Sequence, residues 1–177
     1  TVFSHITADP VIQECVPVLG EAVDQVGGPQ IRNIGTIGGN ICNGAVSADS
    51  APTVFSYNAL LHIADDKDGR IVPVRDFYLG PGRVDLRPGE VLTHVVIPKA
   101  EYEGYHGNYI KYSMRNAMDI ATLSCSVVSK VNTATNILED VRITFGVAAP
   151  VPYRCTKAEE LLKGQKLEES LYQKLED

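Results

Sequence analysis

Residues 27–44 carry the sequence GGPQIRNIGTIGGNICNG, the most informative stretch of the chain. Six of these 18 residues are glycine, and isoleucines stand between them. Glycine permits a positive backbone φ and lets amide N–H groups approach a ligand closely, and several amides turned inward bind phosphate or pyrophosphate. The stretch matches neither G-x-G-x-x-G nor a Walker loop. The residues alone therefore leave two interpretations open, a ligand-binding loop and a tight buried turn.

Polar side chains in and after this stretch add to the candidate site. The hydroxyl of Thr36 and the amides of Asn40 and Asn43 offer hydrogen-bond donors and acceptors. A short helix is predicted over 47–58, with Asp49 or Ser50 as its candidate N-cap.

The composition excludes several classes of function. The 177 residues include 16 basic and 22 acidic side chains, a formal net charge of −6. That balance argues against a nucleic-acid partner, because such grooves need clustered Lys and Arg. No apolar run approaches the ~20 residues of a membrane span, so we expect no membrane association.

The cysteines and histidines predict no metal site. Cys15, Cys42, Cys125 and Cys155 are scattered without a C-x-x-C pair, whereas zinc and iron–sulfur sites usually show short paired spacings. Four such thiols indicate a reduced, cytoplasmic protein, although an even number also permits two disulfides. The histidines have no partner at ligand spacing, and no Ser/His/Asp or Cys/His nucleophile is identifiable, so we expect no catalytic residue.

The hydrophobic pattern predicts an α+β protein. Asp9 and Pro10 signal a helix start, Pro17 breaks that helix, and apolar residues then recur at helical spacing from Val18 to Val26. A polar segment over 99–107 is the candidate linker between domains at 1–103 and 104–177. The other predicted elements are a hairpin of 59–64 with 70–74, strands over 91–97, 108–114, 122–131 and 138–147, and helices over 156–162 and 167–175.

Several motifs follow one another in a characteristic order. They are GPQIRN (28–33), TIGGNICNGA (36–45), SADSA (47–51), GPG (80–82), EVL (90–92), IP (97–98), KYSMRNAMDI (111–120) and FGVAAP (145–150). Together they resemble the flavoproteins of the molybdenum hydroxylase family, and most of all the FAD-binding subunits of bacterial xanthine dehydrogenases.

The resemblance implies the architecture of both predicted domains. Residues 1–103 would form the second half of a PCMH-type FAD-binding domain. Residues 104–177 would form a three-stranded antiparallel sheet with helices, like the C-terminal domain of carbon monoxide dehydrogenase flavoproteins. In the family, another glycine-rich loop that holds the FAD pyrophosphate precedes this region, and the C-terminal domain continues beyond it. We therefore expect this sequence to be part of a longer flavoprotein, and expect the part alone to bind FAD weakly or not at all.

The resemblance also implies which residues bind the cofactor. They are Gly35, Thr36, Ile37, Gly38, Gly39, Asn40, Asp49, Val91, Leu92 and Lys111. Segment 35–40 would wrap the nucleotide, and Asp49 would accept from sugar or ribityl hydroxyls. Val91 and Leu92 would form an apolar wall beside the isoalloxazine ring, and Lys111 would stabilise negative charge on reduced flavin. Without the resemblance, Asp49 is an N-cap, Val91 and Leu92 are core residues, and Lys111 points to solvent.

The function implied is electron transfer in a molybdenum hydroxylase, with xanthine dehydrogenase as the preferred member. Partner subunits would carry the molybdenum cofactor and two 2Fe–2S clusters, and electrons would pass through FAD to NAD. Residues 115–120 resemble the loop beside the flavin where nicotinamide approaches. The alternatives are the flavin subunit of a carbon monoxide, nicotinate or aldehyde-oxidising complex, and a non-enzymatic docking module without flavin.

Overall fold

The computed structural model describes residues 1–168 and Leu171. Helices come first along the chain, and they are α1 (Phe3–Ala8), α2 (Pro10–Cys15), α3 (Pro17–Asp24), α4 (Pro29–Ile34), α5 (Ile37–Cys42) and α6 (Ser50–Ser56). They are followed by β1 (Leu60–Ala64), β2 (Gly69–Pro73), α7 (Val74–Phe77), β3 (Tyr78–Gly80), β4 (Arg83–Val84) and β5 (Val91–Val96). After a 3₁₀ helix at Lys99–Glu101 come β6 (His106–Tyr112), β7 (Leu123–Asn132), β8 (Ile137–Gly146), β9 (Tyr153–Arg154) and α8 (Thr156–Leu162). The fold is α+β, as predicted.

Proline begins each of the helices α2 and α3. The Asp9 carboxylate accepts hydrogen bonds from the amides of Val11 and Ile12 at 2.8 and 3.2 Å. Pro10 occupies the first helical position, where no intrahelical bond is lost. Pro17 starts α3 in the same way. The predicted helix start at Asp9 and the break at Pro17 are confirmed.

The apolar side of α3 supplies the centre of the N-terminal core. Val18, Leu19, Ala22 and Val23 are each at most 4% exposed, as their helical spacing predicted. They pack against α1, α6 and β6. α3 therefore ties the N-terminal helices to the first strand of the second half.

Residues 29–42, for which the sequence pattern predicted no element, form the two short helices α4 and α5. Thr36 caps α5 by accepting from the Gly39 amide at 3.0 Å. Isolated helices of six residues are unstable in water, so packing must hold α5 in place. Ile37 and Ile41 provide it, because both side chains are buried in the core.

An antiparallel sheet in the order β2-β1-β5 follows the helices. The β1–β2 hairpin closes at residues 65–68, where the Asp65 carboxylate accepts from the amides of Lys67 and Asp68, both at 2.8 Å. Aspartate favours such turns because its side chain replaces a backbone acceptor. The predicted hairpin is confirmed, and β5 brings Val91 and Leu92 to the end of the sheet near α5.

The second half is an antiparallel sheet in the order β6-β7-β8-β9, with α8 packed on β8. The expectation was three strands. The two-residue β9 adds a fourth because Tyr153 and Arg154 pair with Phe145 and Thr144 at the end of β8. The helix predicted over 167–175 falls largely outside the described residues.

Helix α6 joins the two halves. All seven of its residues are buried, and it packs against both β7 and β8. Its Ser56 hydroxyl donates to the Ser126 carbonyl at 3.2 Å and lies 2.8 Å from the Thr144 hydroxyl. Since α6 is held between the halves, Asp49, which directly precedes it, is held beside β6.

The described residues contain neither a membrane-crossing helix nor a metal-binding cluster. No described helix is long and apolar enough to cross a bilayer. No group of three or more His, Cys, Asp or Glu side chains within the same part of the chain is placed to hold a metal ion. All four cysteines are free and half-buried.

Candidate functional site

An open cleft of about 1110 Å³ lies between the N-terminal helices and β5. Its walls come from α1, α2, the start of α3, the first turn of α5 and nearly all of β5. The cofactor-binding residues predicted from the sequence that line it are Thr36, Ile37, Gly38, Gly39, Val91 and Leu92. The other four, Gly35, Asn40, Asp49 and Lys111, do not line it. The structure thus separates the ten residues into a cleft group and a neighbouring group.

The segment 35–40 uses most of its amides within the protein. Gly35 donates to Ile31 O, Ile37 to Thr1 O, Gly39 to Thr36 Oγ1 and Asn40 to Thr36 O. The amides of Thr36 and Gly38 donate to no acceptor among the described residues. Both residues line the cleft, so these two N–H groups are available to a ligand.

Glycine occupies positions 35 and 38 for different structural reasons. A Cβ added to Gly35 would lie 2.9 Å from Ile31 O and 3.1 Å from the ring of Phe3, so glycine is required there by packing. A Cβ added to Gly38 would meet only the Leu92 side chain, at 4.0 Å. The space beside Gly38 is therefore open towards the cleft.

The apolar wall predicted from Val91 and Leu92 lies at the start of β5. Val91 is 62% exposed, so the alternative that it is a core residue is wrong. Leu92 is half-buried, packs against the core and stands beside Gly38. An apolar side chain next to free amides can shield a bound ring from water while the amides hold a charged group.

From Thr36, which lines the cleft, α5 leads through Asn40 towards α6. These two residues are four apart, which places them on one helical face. The Asn40 Oδ1 accepts a hydrogen bond from the Ser50 hydroxyl at 2.7 Å. Asn40 is thereby tied to the residue next to Asp49, and the two groups of predicted residues become neighbours.

Asp49 and Lys111 form a buried ion pair. The Lys111 Nζ lies 2.9 Å from Asp49 Oδ2 and also donates to the Gln25 carbonyl at 3.0 Å. The lysine side chain is 5% exposed and the aspartate side chain 7%. The interpretation of Asp49 as an N-cap is wrong, because its side chain makes no cap hydrogen bond at α6. The interpretation of Lys111 as a solvent-facing lysine is also wrong, because its side chain is buried.

The second oxygen of Asp49 is also satisfied. The Tyr109 hydroxyl donates to Asp49 Oδ1 at 2.7 Å, and the tyrosine is 4% exposed. Burial raises the pKa of the Asp49 carboxyl, and the hydrogen bonds from Lys111 and Tyr109 oppose that rise. Removal from water disfavours the charged form, whereas donors and a nearby cation favour it. The carboxylate is therefore held by two partners in a site that would otherwise neutralise it.

The sequence analysis missed Tyr109 as part of this site. Tyr109 is 4% exposed and Tyr112, three residues further along β6, is 64% exposed, so the two side chains face opposite sides of the strand. A signal was present, because Tyr109 stands two residues before Lys111 and side chains two apart share a face of a strand. Cys42 is half-buried and also lines the cleft.

Comparisons with known proteins match both halves of the chain. Residues 1–100 match the family described as the FAD binding domain in molybdopterin dehydrogenase, and residues 108–176 match the carbon monoxide dehydrogenase flavoprotein C-terminal domain. A putative xanthine dehydrogenase FAD-binding subunit of Escherichia coli (strain K12) is 42% identical over 160 residues, which are 90% of this chain and 54% of that protein. The glyceraldehyde dehydrogenase medium chain of Sulfolobus acidocaldarius is 30% identical, over 97% of this chain and 59% of that one.

The fold is also found among solved structures. A chain of carbon monoxide dehydrogenase from Hydrogenophaga pseudoflava superimposes with a TM-score of 0.88 at 28% identity, over 96% of this chain and 58% of that one. The chain thus spans a little over half the length of these three relatives. From its sequence, fold and cleft, the chain belongs to the FAD-binding domain family of the molybdopterin dehydrogenases, joined to a carbon monoxide dehydrogenase flavoprotein C-terminal domain.

Proposed function

We propose that this chain forms one wall of an FAD site in the electron-transfer subunit of a molybdenum hydroxylase. The observation that carries the proposal is the cleft beside Gly38, where two free amides meet open space at a position that no Cβ occupies. A bound flavin would supply a redox centre that exchanges electrons singly or in pairs. The chain's own residues would bind it, orient it and exclude water.

Five of the predicted residues at or near the cleft have a task in this proposal. The amides of Thr36 and Gly38 would donate to the anionic part of the nucleotide, since unpaired N–H groups at a helix start favour negative charge. Val91 and Leu92 would keep water from the ring. Gly35 acts indirectly, by letting the chain pass Phe3 closely enough to place this turn of α5.

The neighbouring group extends the site along the Thr36–Asn40 face. Asn40 would present its amide next to the nucleotide, and Asp49 with Lys111 would lie beyond it. A cation at this position would stabilise the negative charge of reduced flavin, and the adjoining carboxylate moderates that effect. The flavin would then contact the cleft residues and Asn40, and the buried ion pair would act on it electrostatically from behind Asn40.

The wider function follows from the relatives. We infer that the subunit works with a molybdenum-cofactor subunit, which oxidises xanthine, and with a 2Fe–2S subunit. It would receive the electrons from the 2Fe–2S clusters and pass them to NAD in the cytoplasm. The support is the 42% identity to a putative xanthine dehydrogenase FAD-binding subunit. We also propose the domain boundary at 103/104, close to the 101–107 gap between the two family matches.

The direct experiment is FAD uptake by the native polypeptide that contains these residues. After incubation with FAD and desalting, we expect stoichiometric flavin absorbance in the visible range. Residues 1–177 alone should retain far less. A native polypeptide that stays colourless would reject the flavin proposal and favour a docking module. Metal and flavin analysis of the intact complex tests the partners, and its substrate and acceptor profile tests xanthine and NAD.

A further inference from the structure

We propose that Tyr109 is a positioning residue for the flavin, which sets the flavin's reduction potential by holding the Asp49 carboxylate against Lys111. The inference rests on the proposed function, because it requires FAD beside this pair. Tyr109 itself need not touch the cofactor.

Each oxygen of the Asp49 carboxylate accepts a hydrogen bond from a different side chain. Tyr109 donates to Oδ1 of Asp49 at 2.7 Å, and Lys111 donates to Oδ2 at 2.9 Å. With both oxygens engaged, rotation of the carboxyl group would break a bond in a buried site. Tyr109 therefore fixes the orientation of Asp49 and, through it, the place of the Lys111 ammonium.

The backbone holds the tyrosine rigidly. Tyr109 lies within β6, where it pairs with Ser126 of β7. Its amide also donates to the Glu21 carboxylate on α3 at 3.2 Å. Burial, and after it the charge of Asp49, raise the pKa of the Tyr109 phenol, so the hydroxyl stays protonated and remains a donor.

Two other buried tyrosines give a comparison within the same protein. Tyr57 is fully buried and Tyr78 is 6% exposed, yet neither hydroxyl has a hydrogen-bond partner among the described residues. Tyr109 thus differs from them by its bond to a charged group and not by burial. Tyr57→Phe is a matched control for Tyr109→Phe, because each removes one buried phenolic oxygen.

The expected effect has a definite sign. The O–H dipole of Tyr109 offsets part of the Asp49 charge, and hydrogen bonds to charged groups are stronger than neutral ones. Without it the surroundings of the flavin become more negative, so the anionic reduced flavin is disfavoured. Asp49→Asn removes the negative charge altogether and should act in the opposite direction.

The test measures the midpoint potential of FAD in the native polypeptide, in mildly alkaline buffer where Asp49 is ionised. For Tyr109→Phe we expect the affinity for reduced relative to oxidised flavin to fall about threefold to tenfold, a negative shift of about 15–30 mV for a two-electron couple. Asp49→Asn should shift the potential positively, and Tyr57→Phe should leave it unchanged.

The outcomes separate the two proposals. Wild-type protein that takes up no FAD overturns the proposed function. Wild-type protein that binds FAD, with Tyr109→Phe matching Tyr57→Phe in potential, overturns the role of Tyr109 alone. If Tyr109→Phe does not fold, 3-fluorotyrosine is placed at this position instead. Its hydroxyl is a stronger hydrogen-bond donor, so the midpoint potential of FAD should shift positively. An unchanged potential would reject the inference.

Discussion

Replacing Lys111 by methionine should destabilise the protein strongly. Methionine keeps the length of the side chain but leaves Asp49, only 7% exposed, without its cation. Breaking a buried ion pair by removing one partner costs about 3–5 kcal/mol, because the remaining charge is uncompensated. At about 2–4 °C per kcal/mol for a chain of this size, the melting temperature should fall by about 6–20 °C.

The assay is equilibrium urea unfolding at neutral pH, with Lys99→Met as the matched control. Lys99 pairs with Glu103 at 3.0 Å, but the two side chains are 70% and 65% exposed. Exposed pairs contribute about 0–1 kcal/mol, so the control variant should unfold near the wild-type midpoint. The same chemical change is thus made in a buried pair and in an exposed pair.

The reasoning also predicts how this loss depends on pH. Without Lys111, burial drives the pKa of Asp49 further upwards, and protonation at acidic pH removes the unpaired charge. The difference between Lys111→Met and wild type should therefore shrink as the pH is lowered. A penalty no larger than that of Lys99→Met at neutral pH would refute the argument that burial makes this pair important.

Three further predictions concern the glycines and Asp49. Gly38→Val should abolish FAD retention by the native polypeptide with little change in unfolding midpoint, because the added side chain fills the open cleft beside Leu92. A folded variant with normal flavin content would show that this glycine has only a structural role. Gly107→Ala should destabilise by more than about 2 kcal/mol, because its Cβ would overlap the Val127 carbonyl oxygen of β7. Gly20→Ala, at an uncrowded position of α3, should instead stabilise by roughly 0.5–1 kcal/mol, and equal urea midpoints for the two variants would contradict both expectations. Because burial raises the pKa of the Asp49 carboxyl above its usual value, its contribution to stability is lost as pH rises through the folded value; the difference in urea midpoint between wild type and Asp49→Asn should therefore fall from acidic to neutral pH, and a constant difference would contradict this.

The local elements could be predicted because their signals lie within a few residues. Asp9 and Pro10 start a helix through a cap and a fixed φ, and Val18 to Val23 mark one face of α3 through their spacing. The Asp65 carboxylate closes the β1–β2 hairpin by accepting a hydrogen bond from an amide two residues further along the turn. These interactions form over one or two turns of chain, so the sequence suffices to identify them.

The predictions from sequence failed for elements that are stabilised mainly by tertiary packing. Glycine-rich segment 35–40 has low helix propensity, yet α5 forms because Ile37 and Ile41 are buried and Thr36 caps it. The short β9 exists only because the chain after β8 returns alongside Phe145. Neither arrangement leaves a periodic pattern in the sequence.

The sequence by itself determined the α+β class, the longer strands, several of the helices and, through its ordered motifs, the flavoprotein family. The tertiary structure alone decided that Asp49 meets Lys111 and Tyr109, which are 62 and 60 positions away along the chain, and that Gly38 faces an open cleft while Gly35 is packed against Phe3. The physical reason is that burial and charge pairing depend on which distant segments share a volume. That is settled only when α5, α6 and β6 pack together.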